Sequence, residues 1–378
     1  MIKMDLKNQS NIRICVFHRS IHGARDETIF NEIGYNVIVY SLPDLLSSPI
    51  KSFKCLFRPL QWSKWYKKLK CVDVFFAWWA ISFDVVLLSK IMGKPCIIVA
   101  GGGEIETSKD LSKEYSYAYA NSHILKKWMT KLTLKFADKV ISVSNYTKEN
   151  ADRIAKNPTN EVVYNSIDTE KFKPVKVEKK PYILTTVAFM INSVTNTKGI
   201  LPLFEAFTKI TIKHPEYRLV YLGNSYEGTG AKGIIKKRAK ELGILDKVIF
   251  MDFFKTGEEY AYANFLNQCK IYVQYSWNET FGVAMCEAMV CGVPVVASNR
   301  TALPEVVGNA GLIADRGEME KGNPDDLAEK IEMLINDENL YNKLSKKGVE
   351  RVRNNFSKEI RKQKLKRIIK EMVSKSRK

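Results

Sequence analysis

The chain has 378 residues, 45% hydrophobic and 27% charged, with 60 Lys and Arg against 41 Asp and Glu, a net charge of +19. That length implies two or three domains with sizeable cores, and the composition is that of an ordinary soluble globular protein. Met1–Asn11 is polar and lacks the apolar core of a signal peptide, and the most apolar run, Val74–Ile81, is too short to span a bilayer. Seven cysteines, odd in number and scattered through apolar runs, have no metal-ligand spacing and read as reduced core residues of a cytoplasmic protein.

Taken in chain order, Ile12–Phe17 and Asn36–Tyr40 read as strands, followed by strands at 73–77 and 95–100. Helical stretches at 125–137 and 146–156 alternate with strands at 139–143 and 161–164. A proline-bracketed charged link, Lys171–Pro181, precedes a second series beginning at Tyr182–Val187, with strands near 218–223, 247–251, 271–275 and 294–298. The alternation predicts an α/β chain of two doubly wound, Rossmann-like parallel sheets. The expected domains are 1–172, 173–357 and a basic C-terminal helix at 358–378 packing back towards the first domain.

The segment from Asn278 to Ser298 is the most informative. Glu279 lies just past the apolar run Ile271–Tyr275, and Glu287 follows after seven intervening residues, among helix formers that stop at Gly292-Val293-Pro294. A strand, Val295–Ala297, comes next. Phe281-Gly282 leads into the helix, whose first turn, with Val283, offers free N–H groups and a positive dipole end to a diphosphate. Glu279 then stands at the mouth of the site, and Glu287, two turns along, reaches towards a ribose hydroxyl pair.

With Ser276, Leu303-Pro304-Glu305-Val306-Val307 and Gly311-Leu312-Ile313 in order, this segment resembles the signature of retaining glycosyltransferases of the GT-B fold, family 4. The resemblance extends to Ser142–Tyr146, to Asn165-Ser166-Ile167-Asp168 with Phe172 and Pro174, and to Lys198-Gly199. It implies two Rossmann-like domains facing across a cleft, acceptor on the first and nucleotide sugar on the second. It also implies that Glu279 contacts the donor sugar, Lys198 the diphosphate and Glu287 the ribose, with Asn278, Thr280, Phe281, Gly282 and Val283 lining the donor. Base recognition falls to the backbone around Phe253–Thr256, so Phe254 joins the donor list. For Asn165 and Asp168 the residues themselves favour turn and cap chemistry.

The sequence also departs from that family. No arginine precedes Lys198, and the loop holds Asn192 and Ser193, which bond a phosphate without supplying its charge. A cation from the other half, among His18, Arg19 and Arg25 around Gly23, is the candidate replacement. After the fourth strand stand Gly101, Gly102, Gly103 and Glu104, where glycines permit close approach and Glu104 could orient an acceptor hydroxyl; a flexible turn is the competing reading. No Asp-x-Asp closes a strand, so neither metal nor cofactor is expected. The resemblance implies a UDP- or GDP-linked sugar as donor and a metal-independent front-side transfer, with Lys198 and the helix end expected to carry leaving-group charge.

The positive charge is uneven. Residues 51–70 carry seven Lys and Arg, no Asp or Glu, and five aromatic residues; residues 343–378 carry fifteen basic against three acidic. A membrane interface, with Lys64, Trp65, Lys67 and Lys68 at anionic headgroups, suits the first segment and a glycan or lipid-linked acceptor; packed surface remains open, and no nucleic-acid signature accompanies it. A solvated helix face suits the tail. A nucleotide-sugar epimerase and a non-catalytic binding protein are the rival functions.

Overall fold

The computed structural model describes residues 12–18, 21–41, 69–109, 118–190, 197–225, 231–255 and 257–376. The chain divides into two compact units: Met1–Ser166 together with Lys358–Lys378, and Ile167–Ser357. Residues 167–172 go with the second unit because Ile167 donates its N–H to Phe356 O (2.8 Å) and Phe172 packs edge-on against Tyr262.

The first unit is built on strands β1 (Arg13–His18), β2 (Asn36–Ser41), β3 (Val74–Trp78), β4 (Cys96–Ala100), β5 (Lys139–Ser142) and β6 (Glu161–Val162). They pair in the order β2-β1-β3-β4-β5-β6, and every pairing is parallel. Parallel strands need crossovers, here the helices α1 (Ile21–Ile33), α2 (Phe83–Ile91), α3 (Ile124–Phe136) and α4 (Asn145–Ile154). Because both faces are covered, β3 and β4 are buried at every position and read as continuous apolar runs.

The second unit repeats the plan with β7 (Tyr182–Met190), α5 (Ile200–Lys213), β8 (Arg218–Ser225), α6 (Ala231–Glu241), β9 (Val248–Met251), α7 (Glu259–Gln268) and β10 (Ile271–Gln274). It continues through α8 (Val283–Val290), β11 (Val295–Ser298), α9 (Leu303–Val307), β12 (Leu312–Ala314), α10 (Pro324–Asn336) and α11 (Glu338–Asn355). Its sheet runs β12-β11-β10-β7-β8-β9, again parallel throughout.

The last helix, α12 (Lys358–Ser376), returns to the first unit. Leu365, Ile368, Ile369, Met372 and Val373 recur at helical spacing and join a core with Ile14, Val74, Phe76 and Trp78. A buried bidentate ion pair fixes it: Arg361 Nε and Nη2 donate to the two oxygens of Asp26 at 2.6 and 2.7 Å, while Nη1 donates to Val163 O and Tyr164 O. The excess of basic residues in the tail is thus carried partly by a packed helix.

The described cysteines carry free thiols, and all of them except Cys71 are buried. Asp168 accepts from the N–H groups of Glu170 and Lys171, an Asx turn of the kind its residue type suggests. Among the described residues no helix is long and apolar enough to cross a membrane.

Candidate active site

Four adjacent strands of the second sheet, β12, β11, β10 and β7, point their carboxyl ends the same way, and the loops that leave them carry the polar residues. Two glycines shape the backbone there. Gly199 caps α5 with φ +70°, and a Cβ at that position would lie 2.1 Å from Tyr275 O, so only glycine lets the β7 loop close onto the end of β10. Gly282 caps α8 with φ +90°, turning the chain from the Glu279 loop into the helix.

That closure brings Lys198 to Glu279: Nζ donates to Oε1 at 2.5 Å, with both side chains about four-fifths buried. The same carboxylate oxygen accepts from Gln274 Nε2 (3.1 Å) and Ser276 Oγ (3.3 Å). Behind Gln274 the hydrogen bonds continue inward. Gln274 Oε1 accepts from Tyr272 Oη at 2.8 Å, and Tyr272 pairs with Thr186 Oγ1 at 2.5 Å. Burial pushes the Tyr272 hydroxyl far above its usual range, so it stays a neutral donor. The Glu279 backbone is clamped as well: its N–H donates to Thr301 Oγ1 (2.9 Å), which donates in turn to Glu279 O (2.8 Å). Thr301 holds φ +53°, a left-handed conformation uncommon for a non-glycine residue, and that clamp is what holds it there.

A second cation stands beside this cluster. Arg300 lays its guanidinium over the Trp277 ring, 4.1 Å from the centroid, and donates Nη2 to Gly317 O. Arg316, fully buried, stacks on Tyr275 at 4.8 Å and donates to Glu318 O and Met319 O, holding the β12–α10 loop in place.

Of the residues singled out in the sequence, the structure groups Lys198, Asn278, Glu279, Thr280, Phe281, Gly282 and Val283 at this strand-end cluster. Phe281 is buried edge-on against Phe356 and anchors the start of α8. Glu287 lies further along α8 and is buried. Its charge adds to burial in raising the Cys286 and Cys291 thiols, the latter to about 12, and the Tyr262 hydroxyl. Phe254 is half-buried and packs on Tyr262 and Phe265. Asn192 and Ser193 lie outside the described residues, as do Arg19, Lys64, Trp65, Lys67 and Lys68.

The remaining candidates belong to the first unit. A Cβ at Gly23 would meet His18 Cβ at 2.3 Å, so this glycine serves close packing of α1 on β1. His18 pairs with Glu27 at 3.1 Å, and Arg25 Nη1 reaches Ser166 O. Gly101 and Gly102 make room for Trp78 and Trp79. Gly103 opens a single 3-10 turn, and Glu104 within it is buried with Oε1 accepting from Gly101 N at 3.1 Å. Burial raises the Glu104 carboxyl and the surrounding loop amides oppose that shift, so its geometry is that of a residue holding its own loop.

Sequence reasoning missed Gln274, Trp277, Arg300 and Thr301. Gln274 had a signal: a polar side chain inside an otherwise apolar, fully buried strand needs a partner. Arg300 and Thr301 had none, because their role depends on β11 lying beside β10.

Residues 166–351 match the family described as glycosyl transferases group 1. An uncharacterized glycosyltransferase of Methanocaldococcus jannaschii is 26% identical over 320 residues, spanning 83% of this chain and 80% of that protein. Among solved structures, sucrose-phosphate synthase from Thermosynechococcus elongatus aligns over 96% of this chain and 99% of its own, with TM-score 0.77 and 18% identity. Anabaena HepE in complex with UDP-glucose aligns over 96% and 100%, with TM-score 0.71 and 16% identity. At such identities the structural likeness establishes the fold, GT-B, with two Rossmann-like units.

Proposed function

We propose that the chain, whose residues 166–351 match the glycosyl transferases group 1 family, transfers a sugar from a nucleotide sugar with retention at the anomeric carbon and without a metal. The observation that carries this reading is the Lys198–Glu279 contact at the carboxyl ends of β7 and β10, one short loop before the N-terminus of α8.

In this reading the diphosphate of the donor lies against Lys198 Nζ and the first N–H groups of α8, a compact ammonium and a helix dipole of the right sign. Both stabilise charge that grows on the departing phosphate as the glycosidic bond lengthens towards an oxocarbenium-like state. Glu279 faces the sugar. Its Oε1 is already held by Lys198, Gln274 and Ser276, so the carboxylate acts by position and charge, and no covalent glycosyl-enzyme is invoked. The acceptor oxygen approaches the face that the phosphate leaves, and the phosphate takes the acceptor's proton. Glu287 on α8 binds the ribose hydroxyls. Asn192, Ser193 and Phe254 complete the donor side. A UDP-linked donor is supported by the fold shared with HepE, whose structure holds UDP-glucose. A lipid-linked acceptor rests on the basic and aromatic segment 51–70, which lies outside the described residues.

The test combines two measurements. Thermal-shift screening against UDP-, GDP- and ADP-sugars should show selective stabilisation by one base. Proton NMR of the product formed from that donor, in the presence of EDTA, should show the donor's anomeric configuration kept. An inverted product, or turnover that stops with EDTA and returns with magnesium, would overturn the retaining or metal-free part respectively.

A further inference from the structure

Helices α2 and α3 pack side by side on one face of the first sheet, burying Val85, Val86, Leu88 and Leu134 in a common core. Their outward faces are the unusual part. On α3, Ile124, Trp128, Lys131 and Lys135 follow one another at i, i+4, i+7 and i+11, a single line along the helix. Ile124 is 72% exposed, Trp128 60% and the adjacent Phe136 47%. On α2, Leu87 and Ile91 repeat the pattern at i, i+4, with Ile91 60% exposed.

A soluble surface scatters single apolar residues, but here five large ones share two neighbouring helices. The charges among them have one sign. α3 contains four lysines and no acidic residue, and the acidic residue of α2, Asp84, is buried. Where the two helices end, Lys90, Lys94 and Lys375 line a cavity of about 360 Å³, with Asp138 paired to Lys90 at 2.5 Å. The neighbouring helix α4 shows no such pattern: its outward side carries Glu149, Asp152 and Arg153 in mixed ion pairs.

We propose that the α2–α3 face of the first unit docks on an anionic bilayer surface. Trp128 and Phe136 would sit at headgroup depth with Ile91, Ile124 and Leu87 reaching the acyl boundary, and Lys131 and Lys135 would meet lipid phosphates and acidic headgroups. An exposed tryptophan flanked by lysines fits that interface better than it fits another protein chain, because the apolar residues of α3 are interleaved with Lys131 and Lys135 and the helix has no acidic residue.

The experiment is flotation of the full chain with phosphatidylcholine vesicles, with and without phosphatidylglycerol. Wild-type protein should float with the anionic vesicles and stay behind with the neutral ones. The pairs Ile124→Glu/Trp128→Glu and Lys131→Glu/Lys135→Glu should each cut the bound fraction tenfold or more, while Ile212→Glu on α5, equally exposed but in the second unit, should not. All five side chains are at the surface, so thermal melts should be unchanged; Trp128→Ser serves as a milder variant. Wild-type flotation that ignores headgroup charge, or undiminished flotation of both pairs, overturns the proposal. So does a dimer in sedimentation that Trp128→Glu dissolves without any vesicle binding, which would make the face a contact between copies. Stabilisation by UDP, followed in the same samples, reports on donor binding separately, so failure here and failure of the transferase reading are told apart.

Discussion

Lys198 Nζ and Glu279 Oε1 stand 2.5 Å apart across 81 positions of sequence, and the same oxygen is shared by Gln274 and Ser276. The lysine therefore has two duties. It orients the carboxylate, and in the reading above it also faces the leaving diphosphate. Lys198→Ala should lower kcat by about 10²–10³-fold, the magnitude seen on losing one preorganised charge-stabilising donor. Glu279→Ala should abolish turnover while nucleotide still stabilises the protein. Because the two side chains act as one unit, the double variant should lose much less than the product of the single losses. Steady-state rates with a fixed donor and acceptor decide it; near wild-type transfer by Glu279→Ala would remove the assignment.

Arg300 is the cation that no motif announced. Its guanidinium rests 4.1 Å above the Trp277 ring, and it is anchored by one bond to Gly317 O, so most of its donors are uncommitted among the protein contacts described. The loop ahead of Lys198 lacks arginine, and Arg300 is expected to supply that charge from the neighbouring strand. Arg300→Ala should raise the donor KM about tenfold, with Trp277→Ala following it because the stack positions the guanidinium, each loss corresponding to about 1.4 kcal/mol. Arg300→Lys should recover little, since an ammonium cannot reproduce the planar stack. An unchanged donor KM in Arg300→Ala would leave the residue only its bond to the Gly317 loop.

The two sheets and helix α8 were legible because each is written locally. Strand cores such as Val74–Trp78 are continuous apolar runs, and α8 is bounded by Gly282 and Gly292, both at positive φ. What was not legible depends on strand order. Thr301 clamps Glu279 only because β11 pairs with β10, and Gln274 reaches the same carboxylate only because a one-residue alternation turns it from Val273's side of the sheet. Nor could spacing show that Glu104 folds its carboxylate back onto its own loop, since three glycines in a row fit an open ligand loop and a tight turn equally well.

Arg361 and Asp26 tie the last helix into the first unit across 335 positions, both nearly inaccessible to water and joined through two parallel hydrogen bonds. Trp78 Nε1 donates to the same carboxylate at 2.9 Å. Removing either partner strands a buried charge. Arg361→Ala and Asp26→Ala should each cost about 3–5 kcal/mol, and the double variant should cost clearly less than their sum. Urea unfolding followed by circular dichroism measures this; additive losses would mean that the pair is not coupled.

His22 gives the first unit a pH dependence whose direction can be worked out. Its ring stacks on Trp78, centroids 5.6 Å apart and 24° between planes. Burial first, then the positive charges of Arg25 and Arg361, lower its pKa from 6.5 to about 4. Above pH 6.5 the imidazole is neutral in both folded and unfolded chains and contributes no pH dependence. As pH falls towards 4 the unfolded chain takes up a proton that the native site refuses, so stability is lost across that window, by at most about 3 kcal/mol. His22→Phe keeps an aromatic ring on Trp78 and cannot be protonated. Whatever its stability relative to wild type at pH 7, the difference should shift in the variant's favour as pH is lowered to 4, because acidification then penalises only the histidine. Urea titrations of both proteins at pH 7, 6, 5 and 4 supply the comparison. Parallel stability curves would show that the native site accepts the proton freely, and that Arg25 and Arg361 exert no effective repulsion on the ring.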